Sequence, residues 1–171
     1  MILATDVSYN DANSTALAAG VLFEEWGSTQ AMRECSCPCS NVLPYEPGSF
    51  YKRELPCLLS LLHSVEEPVD LVIVDSYVDL APDHPGLGRY LYEALDQRVA
   101  VVGVAKTHFE GSSGIPVLRG VSKSPLYVTA AGMDVKLAAY FVQEMHGTSR
   151  IPHLLKQADT LSRVGVAPHR G

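Results

Sequence analysis

Three acidic side chains stand where carboxylates of an α/β protein can meet. Asp6 lies on a predicted first strand, Glu54 in the first turn of the first long predicted helix, and Asp75 directly after the apolar residues 71–74. Ligands of such proteins gather outside the carboxyl ends of the strands. Carboxylate oxygens suit Mg²⁺ or Mn²⁺, which can lower the pKa of bound water and offset charge in phosphoryl transfer.

Each carboxylate also has a simpler explanation, and position alone leaves both open. Asp6 could cap a turn through its side chain, and Asp75 could be the last solvated residue of a strand. Glu54 could be a first-turn acid that the helix dipole favours.

The elements that must position these residues follow from hydrophobic periodicity. Short apolar segments bounded by turn residues predict strands, and apolar residues at helical spacing predict helices. The predicted strands span residues 1–7, 15–23, 28–35, 70–75, 99–106, 117–119 and 126–129. The predicted helices span residues 50–65, where Pro56 imposes a kink or a later start, and 85–95, 134–145 and 154–163.

This order predicts an α/β fold with a mixed central sheet and flanking helices. Three antiparallel strands form a meander, and the strand, helix, strand alternation after residue 70 adds parallel strands. The chain length of 171 residues is that of one domain, so we expect a single domain over residues 1–165. Residues 166–171 are expected to form a frayed tail.

Composition restricts the cellular setting and the partners. No apolar segment approaches the length needed to cross a bilayer, and no basic region opens the sequence, so we expect a cytoplasmic monomer without membrane contact. The formal charge of −6 disfavours a broad basic surface for nucleic acid. It does not disfavour phosphate binding through a metal ion. Cys35, Cys37, Cys39 and Cys57 lack zinc-site spacing and are interpreted as buried or incidental thiols.

The loop before the first long helix combines stiffness with an aromatic side chain. Pro44 and Pro47 limit its conformations and are expected to hold Tyr45 outward. Gly48 then lets the chain turn into the helix that carries Glu54.

Six segments, taken in order, resemble the motifs of the endonuclease V family. These segments are TDVSY, PYEPGSFYKRELP, LVIVDSYVDLAPDHPGLGRYL, VVGVAKTHF, SKSPLYVTAAG and RIPHLLKQADTLSR, and they cover most of the chain. The family consists of metal-dependent nucleases that act on nucleic acid containing deaminated adenine. A single motif such as GVAK would occur by chance, whereas six in order with suitable spacing are specific.

The resemblance implies a ribonuclease H-like fold and a DNA-repair endonuclease. It implies that Asp6, Glu54 and Asp75 bind catalytic Mg²⁺, with Mn²⁺ able to substitute. Lys106 matches a basic residue near the scissile phosphate, where an ammonium can stabilise developing charge. The implied partner is DNA, with RNA as an alternative, cut at the second phosphodiester bond on the 3′ side of the altered base.

The resemblance also implies which residues contact the substrate. Residues 44–47 match a wedge that opens the strands, with the Tyr45 ring stacking where the altered base has left. His84 precedes Pro85, where it could contact substrate or a metal, or only cap the following helix. The implied substrate-binding residues are Pro44, Tyr45, Glu46, Pro47, Gly48, Arg53, Ser76, Tyr77 and His84.

Several departures from the family pattern concern base recognition. Residues 76–78 replace glycines that make room for a flipped base, and Gly86 replaces an arginine. A family histidine expected near the active site falls at residues 131–133, where no histidine occurs. Glu46 puts a negative charge in the wedge, and the family's N-terminal helical segment does not precede the first strand.

These departures keep three hypotheses open. The first is a divergent metal-dependent endonuclease, and metal binding is better supported than inosine recognition, since pocket shape decides which base can enter. The second is a noncatalytic nucleic-acid-binding relative that lost the inosine pocket. The third is a nuclease for another aberrant or structured substrate.

Overall fold

The computed structural model of the chain describes residues 1–165. The strands are β1 (Ile2–Asn10), β2 (Thr15–Phe23), β3 (Arg33–Cys39), β4 (Leu71–Val74), β5 (Asp79–Ala81), β6 (His84–Pro85), β7 (Ala100–Ala105), β8 (Ile115–Val117) and β9 (Leu126–Ala131). The helices are α1 (Tyr51–His63), α2 (Leu87–Ala94), α3 (Val135–Glu144) and α4 (His153–Val164).

A mixed sheet of seven strands forms the centre of the fold, in the order β3-β2-β1-β4-β7-β9-β8. β1, β2 and β3 pair antiparallel, whereas β1, β4 and β7 run parallel to one another. The predicted meander and the predicted parallel unit therefore share one sheet, which confirms the predicted architecture.

Helices cover both faces of this sheet because its central strands are apolar on both sides. On β1, Leu3 and Val7 pack in the cluster that includes residues of α1 and α2. Ile2 and Ala4 point the other way, into the cluster that includes residues of α3 and α4. Alternation along β1 therefore puts Asp6 on the face covered by α4.

Some predicted boundaries were wrong because strand pairing sets them. β3 begins at Arg33 rather than at residue 28, since Leu22 of β2 pairs with Arg33 and the preceding residues form the connection. Its Pro38 is tolerated because β3 lies at the sheet edge. β1 continues to Asn10 through its pairing with Thr15, so Ser8 and Asn10 belong to the strand rather than the turn.

The edge hairpin and a second small sheet also differ from expectation. β8 covers Ile115–Val117 rather than residues 117–119, and it pairs with β9. β5 and β6 form a separate two-stranded sheet that periodicity did not predict, because β6 contains only two residues.

Arg119 is a buried cation that links two parts of the chain through backbone carbonyl oxygens. Its side chain is buried, and its guanidinium donates hydrogen bonds to the carbonyl oxygens of Ser149 (2.6 Å) and Gly147 (3.0 Å), and also to that of Met145. Burial lowers the pKa of Arg119. The guanidinium thus ties the end of α3 to the chain entering α4.

No helix within residues 1–165 has the length and apolar character required to cross a membrane. The frayed tail predicted for residues 166–171 lies outside the described residues.

Gly103 on β7 supports the segment that follows β4. A Cβ at this position would lie 2.3 Å from the carbonyl oxygen of Ser76 and 2.8 Å from the backbone nitrogen of Val78. Real carbon atoms do not approach backbone this closely, so only glycine lets residues 76–78 pack against β7. The same packing fixes where the chain leaves Asp75.

Replacing Gly103 with alanine should therefore destabilise the protein. We expect Gly103→Ala to lower the free energy of unfolding by about 1–3 kcal/mol, because the methyl group meets backbone rather than a flexible side chain. For a protein of this size the melting temperature should fall by roughly 2–10 °C in calorimetry. Gly27→Ala is the matched control, since a Cβ there meets nothing within 4 Å. Equal melting temperatures for the two variants would contradict this account.

Candidate active site

Three neighbouring parallel strands deliver charged residues to one edge of the sheet. Ala4 of β1 pairs with Ile73 of β4, so Asp6 and Asp75 extend equally far along the two strands. Val74 pairs with Gly103 of β7, which carries Lys106 to the same edge. The three residues line one cavity, together with Thr5, Ile73, Val74, Val104, Ile151, Leu155 and Asp159.

Asp75 and Lys106 form an ion pair across this cavity. The Lys106 ammonium donates a hydrogen bond to Asp75 Oδ2 at 3.0 Å. The Lys106 side chain is 39% exposed and the Asp75 side chain is 33% exposed. Such exposure keeps the interaction weak, so either partner can exchange the other for a ligand.

Asp6 is held in a more buried setting. Burial raises its pKa to about 6, a hydrogen bond from Ser162 opposes that rise, and the charges of Asp75 and Asp159 add to it. Asp6 lies within β1, paired with Ala19 of β2. The alternative that it merely caps a turn is therefore excluded by its position.

Glu54 is buried although it carries a carboxylate. Its side chain belongs to the buried face of α1, and only 8% of the residue is exposed. Burial raises its pKa to about 8, and the charges of Asp6 and Asp75 contribute to the rise. Glu54 does not line the cavity, but the charges of two acids that do line it raise its pKa. An acid placed in the first helical turn only to favour the helix dipole would not need to be buried.

Asp159 is the third acid that lines the cavity, after Asp6 and Asp75, and the sequence prediction missed it. It lies on α4, whose packing against β1 and β2 brings it close to Asp6. Burial raises its pKa, but the charges of Arg163, Lys106 and Lys156 outweigh that effect, so its pKa is lowered. The QAD segment within the sixth motif was the available signal, and nothing in its spacing linked it to Asp6.

The donor set fits a hard divalent cation in its chemistry. Asp6, Asp75 and Asp159 supply carboxylate oxygens to one cavity, and the ordinary ligands of Mg²⁺ are carboxylates and water. Within residues 1–165, however, no three acidic, histidine or cysteine side chains are already grouped closely enough to hold a metal ion. Asp75 Oδ2 faces Lys106 and Asp6 Oδ2 faces Ser162, so a cation would meet oxygens that now have other partners.

Comparison with known proteins identifies the family. A family model described as Endonuclease V matches residues 1–128 of the chain. The chain belongs to the endonuclease V family. Endonuclease V from Streptomyces avermitilis is 25% identical over an alignment that covers 95% of this chain and 79% of that protein. Endonuclease V from Streptomyces coelicolor is 30% identical over 75% of this chain and 54% of its own length.

Solved structures of endonuclease V share the fold. The crystal structure of the S. avermitilis protein superposes with a TM-score of 0.80 at 25% identity, covering 95% of this chain and 79% of that one. Endonuclease V from Ciona intestinalis, in complex with a 24mer DNA containing an inosine followed by a ribo-adenosine, gives 0.80 at 18% identity, covering 95% and 84%. The predicted ribonuclease H-like fold is confirmed.

The loop that resembles the endonuclease V wedge is exposed at its aromatic residue. Tyr45 is 62% exposed, which agrees with the expectation that the prolines hold it outward. Gly48 has a φ of +77°, a conformation that favours glycine, and it begins the turn into α1. Glu46 Oε2 pairs with Lys52 Nζ at 3.3 Å, so the charge that departs from the family pattern has a cationic neighbour.

Arg53 is turned inward rather than toward an open groove. Its guanidinium carbon lies 3.6 Å from the centre of the Tyr9 ring, and Nη1 donates to Asp11 Oδ1 at 2.9 Å. The Arg53 side chain is 10% exposed. It therefore joins α1 to β1 beside Glu54, and its contact with substrate stays a prediction.

Residues 76–78, for which the resemblance implies glycines in other members of the family, are buried. Tyr77 is 5% exposed, and its hydroxyl donates to the Thr107 carbonyl oxygen (2.7 Å) and accepts from the Phe109 backbone nitrogen (3.1 Å). Ser76 is buried as well, whereas His84 is exposed, with its ring centre 6.1 Å from that of Phe109. Tyr77 thus anchors the loop after Lys106 rather than lining an open base pocket.

The histidine expected at residues 131–133 would not have been near this cavity. β9 runs antiparallel to β7, so Tyr127 pairs with Ala105 while Ala131 pairs with Val101 at the far end. A Cβ on Gly132 would approach Tyr92 and Ala100, which lie at that far end too. Assigning residues 131–133 to the active site was therefore wrong, and their lack of histidine removes nothing from the cavity.

The cysteines group between β3 and α1. Cys35 and Cys57 are buried, Cys37 and Cys39 are half-buried, and all four are free thiols. Cys35, Cys37 and Cys57 each have a pKa raised above its ordinary value, mainly by burial. These thiols lie apart from the cavity and agree with the interpretation made from their spacing.

The raised pKa of Glu54 makes a prediction about stability. An acid with a higher pKa in the folded state stabilises that state when protonated, so this contribution is lost as pH rises from about 4.5 toward 8. Glu54→Gln should therefore raise the free energy of unfolding of the metal-free protein at pH 8 by about 1–3 kcal/mol. Denaturant unfolding in EDTA at pH 8 and at pH 4 measures this.

The gain should shrink at pH 4, where Glu54 is mostly protonated in both the folded and the unfolded protein. A Glu54→Gln variant that is equally stabilised at both pH values, or destabilised at pH 8, would show that ionised Glu54 is not a strained group.

Proposed function

We propose that this chain is a metal-dependent endonuclease that hydrolyses a phosphodiester bond 3′ to an inosine-type or otherwise aberrant nucleotide. The observation that carries the proposal is the single cavity into which parallel strands deliver Asp6, Asp75 and Lys106. Membership of the endonuclease V family supports the reaction class. The DNA containing an inosine bound by the Ciona intestinalis relative supports the substrate class.

Asp6, Asp75 and Glu54 are proposed to hold the metal, with Mg²⁺ the expected ion and Mn²⁺ a substitute. Asp159 lines the same cavity and is proposed to assist them. When bound, a divalent cation supplies Lewis-acid stabilisation of phosphate oxygens and a lower pKa for water. The four acids otherwise repel a phosphate, so their own charge must be offset before nucleic acid can approach.

Lys106 is proposed to act on the substrate directly. Its ammonium lies within hydrogen-bond distance of Asp75, and Lys106 lines the same cavity as the acids. An ammonium there donates hydrogen bonds to oxygens that gain negative charge as the bond breaks.

The loop of residues 44–48 is proposed to contact the duplex. Tyr45 is exposed and can stack on bases, and the loop that carries it is short and stiffened by two prolines. The Glu46–Lys52 ion pair reduces repulsion between Glu46 and the phosphates. Ser76, Tyr77, His84 and Arg53 are proposed to shape the adjoining surface, with buried Tyr77 and Arg53 acting through neighbouring groups. We further propose that residues 1–165 act as one domain in a cytoplasmic monomer.

The role of Asp75 is tested by a conservative substitution. Asp75→Asn should reduce Mn²⁺-dependent nicking by at least about 100-fold, because an amide is a much weaker ligand for a hard cation and does not attract Lys106. Asp70→Asn is the matched control, since Asp70 flanks the other end of the same strand and its side chain is 80% exposed. Nicking assays on a supercoiled or labelled duplex measure both variants, and retained nicking by a pure Asp75→Asn preparation would remove Asp75 from the mechanism.

The substrate is tested by a cleavage panel of undamaged, mismatched, flapped and inosine-containing strands in DNA and RNA. Each is incubated with Mg²⁺, Mn²⁺ or EDTA. We expect metal-dependent cleavage with preference for inosine, and cleavage products bearing 3′-hydroxyl and 5′-phosphate ends. Preference for flaps or mismatches over inosine would indicate that the buried Tyr77 prevents a flipped base from entering. Binding without any cleavage would favour the noncatalytic relative.

A further inference from the structure

One oxygen of Asp6 accepts a hydrogen bond from a serine that lies in the sixth motif but to which the resemblance assigns no role. Ser162 Oγ lies 2.8 Å from Asp6 Oδ2, and the Ser162 residue is only 1% exposed. Ser162 lies on α4 three residues after Asp159, so one turn of this helix supplies both an acid of the cavity and the partner of Asp6.

The hydroxyl of Ser162 has three acceptors within reach but only one proton. It lies 2.8 Å from Asp6 Oδ2, 2.9 Å from the Asp159 carbonyl oxygen and 2.8 Å from Ser8 Oγ. A carboxylate is the strongest acceptor of these, because hydrogen bonds to ionised groups are roughly twice as strong as neutral ones. The proton therefore points at Asp6, and Ser8 must donate its own proton to Ser162.

This direction of donation has a consequence for the free oxygen of Asp6. An ionised carboxylate only accepts hydrogen bonds, so the serine hydroxyl fixes the rotation of the Asp6 side chain through Oδ2. Oδ1 is then left for a ligand in the cavity that Asp6 lines. Without the hydroxyl, the half-buried Asp6 carboxylate would lose the hydrogen bond that fixes its rotation.

We propose that Ser162, supported by Ser8, is a positioning residue that presents Asp6 Oδ1 to a divalent cation. The inference rests on the proposed metal-dependent function and adds two residues that act through Asp6 rather than on the substrate. Groups that orient metal ligands typically change metal affinity by 10–100-fold when they are removed, and an oriented carboxylate needs less side-chain ordering when the metal binds.

The test measures Mn²⁺ binding directly by titration calorimetry, together with nicking over a range of Mn²⁺ concentrations. Ser162→Ala should weaken Mn²⁺ binding by about 10-fold or more, while nicking recovers as Mn²⁺ approaches saturation. Ser8→Ala should weaken binding by a smaller factor. Ser162 Oγ then loses the hydrogen bond that Ser8 donates to it, but Ser162 still donates its own proton to Asp6. Melting temperatures of the metal-free variants show whether each one folds.

Thr160→Ala is the matched control for helix packing. Thr160 Oγ1 donates to the Lys156 carbonyl oxygen at 3.1 Å, the same kind of bond within α4 that Ser162 could make to Asp159. Thr160 is exposed and does not contact Asp6, so its substitution should leave Mn²⁺ affinity unchanged.

The outcomes separate this inference from the proposed function. Suppose that the wild-type protein binds Mn²⁺ and nicks DNA, and that Ser162→Ala and Ser8→Ala both bind Mn²⁺ as tightly as the wild type. This result overturns the positioning role and leaves the proposed function standing. If Ser162→Ala does not fold, Ser8→Ala alone decides the matter through its Mn²⁺ affinity. Wild-type protein that neither binds Mn²⁺ nor nicks any strand overturns the function, and the positioning role falls with it.

Discussion

Mutual repulsion among buried and half-buried carboxylates is the constraint around which this structure is arranged. Asp6 and Glu54 both have a raised pKa, and in each case burial is the main cause and neighbouring acids add to it. Like charges in a medium of low dielectric cost free energy that a fold without another use for them would avoid. The cost is reduced locally by the Lys106 ammonium on Asp75 and by the Ser162 hydroxyl on Asp6.

The sheet and its helices explain how such a costly arrangement is maintained. Parallel pairing of β1, β4 and β7 sets the charged residues level with one another, and apolar side chains on both faces of these strands supply the opposing stability. Gly103 admits the segment after Asp75 to the sheet surface, and Arg119 ties together the chain that leads into α4. The acids are thus held in place by packing contacts that lie outside the cavity, as a rigid scaffold for a functional site requires.

Two of the side chains that depart from the family pattern have local partners. Glu46 pairs with Lys52, and Tyr77 bonds the loop that follows Lys106. These contacts make residues 76–78 part of the protein interior rather than an open pocket. Under the proposed function, a base that enters here would meet a surface shaped differently from one lined by glycines.

The sequence by itself determined the order of the main elements, the mixed sheet and the family, because hydrophobic periodicity and ordered motifs are local properties of the chain. It also marked Asp6 and Asp75, since each stands on or just after an apolar strand, whereas Lys106 was marked only by the resemblance of its motif to the family. Only the tertiary structure decided which distant residues join them. Asp159 and Ser162 reach Asp6 because α4 packs across β1, and residues 131–133 are excluded because β9 runs antiparallel to β7. Packing between elements far apart in the chain leaves no local signal, so these contacts could not be predicted from spacing.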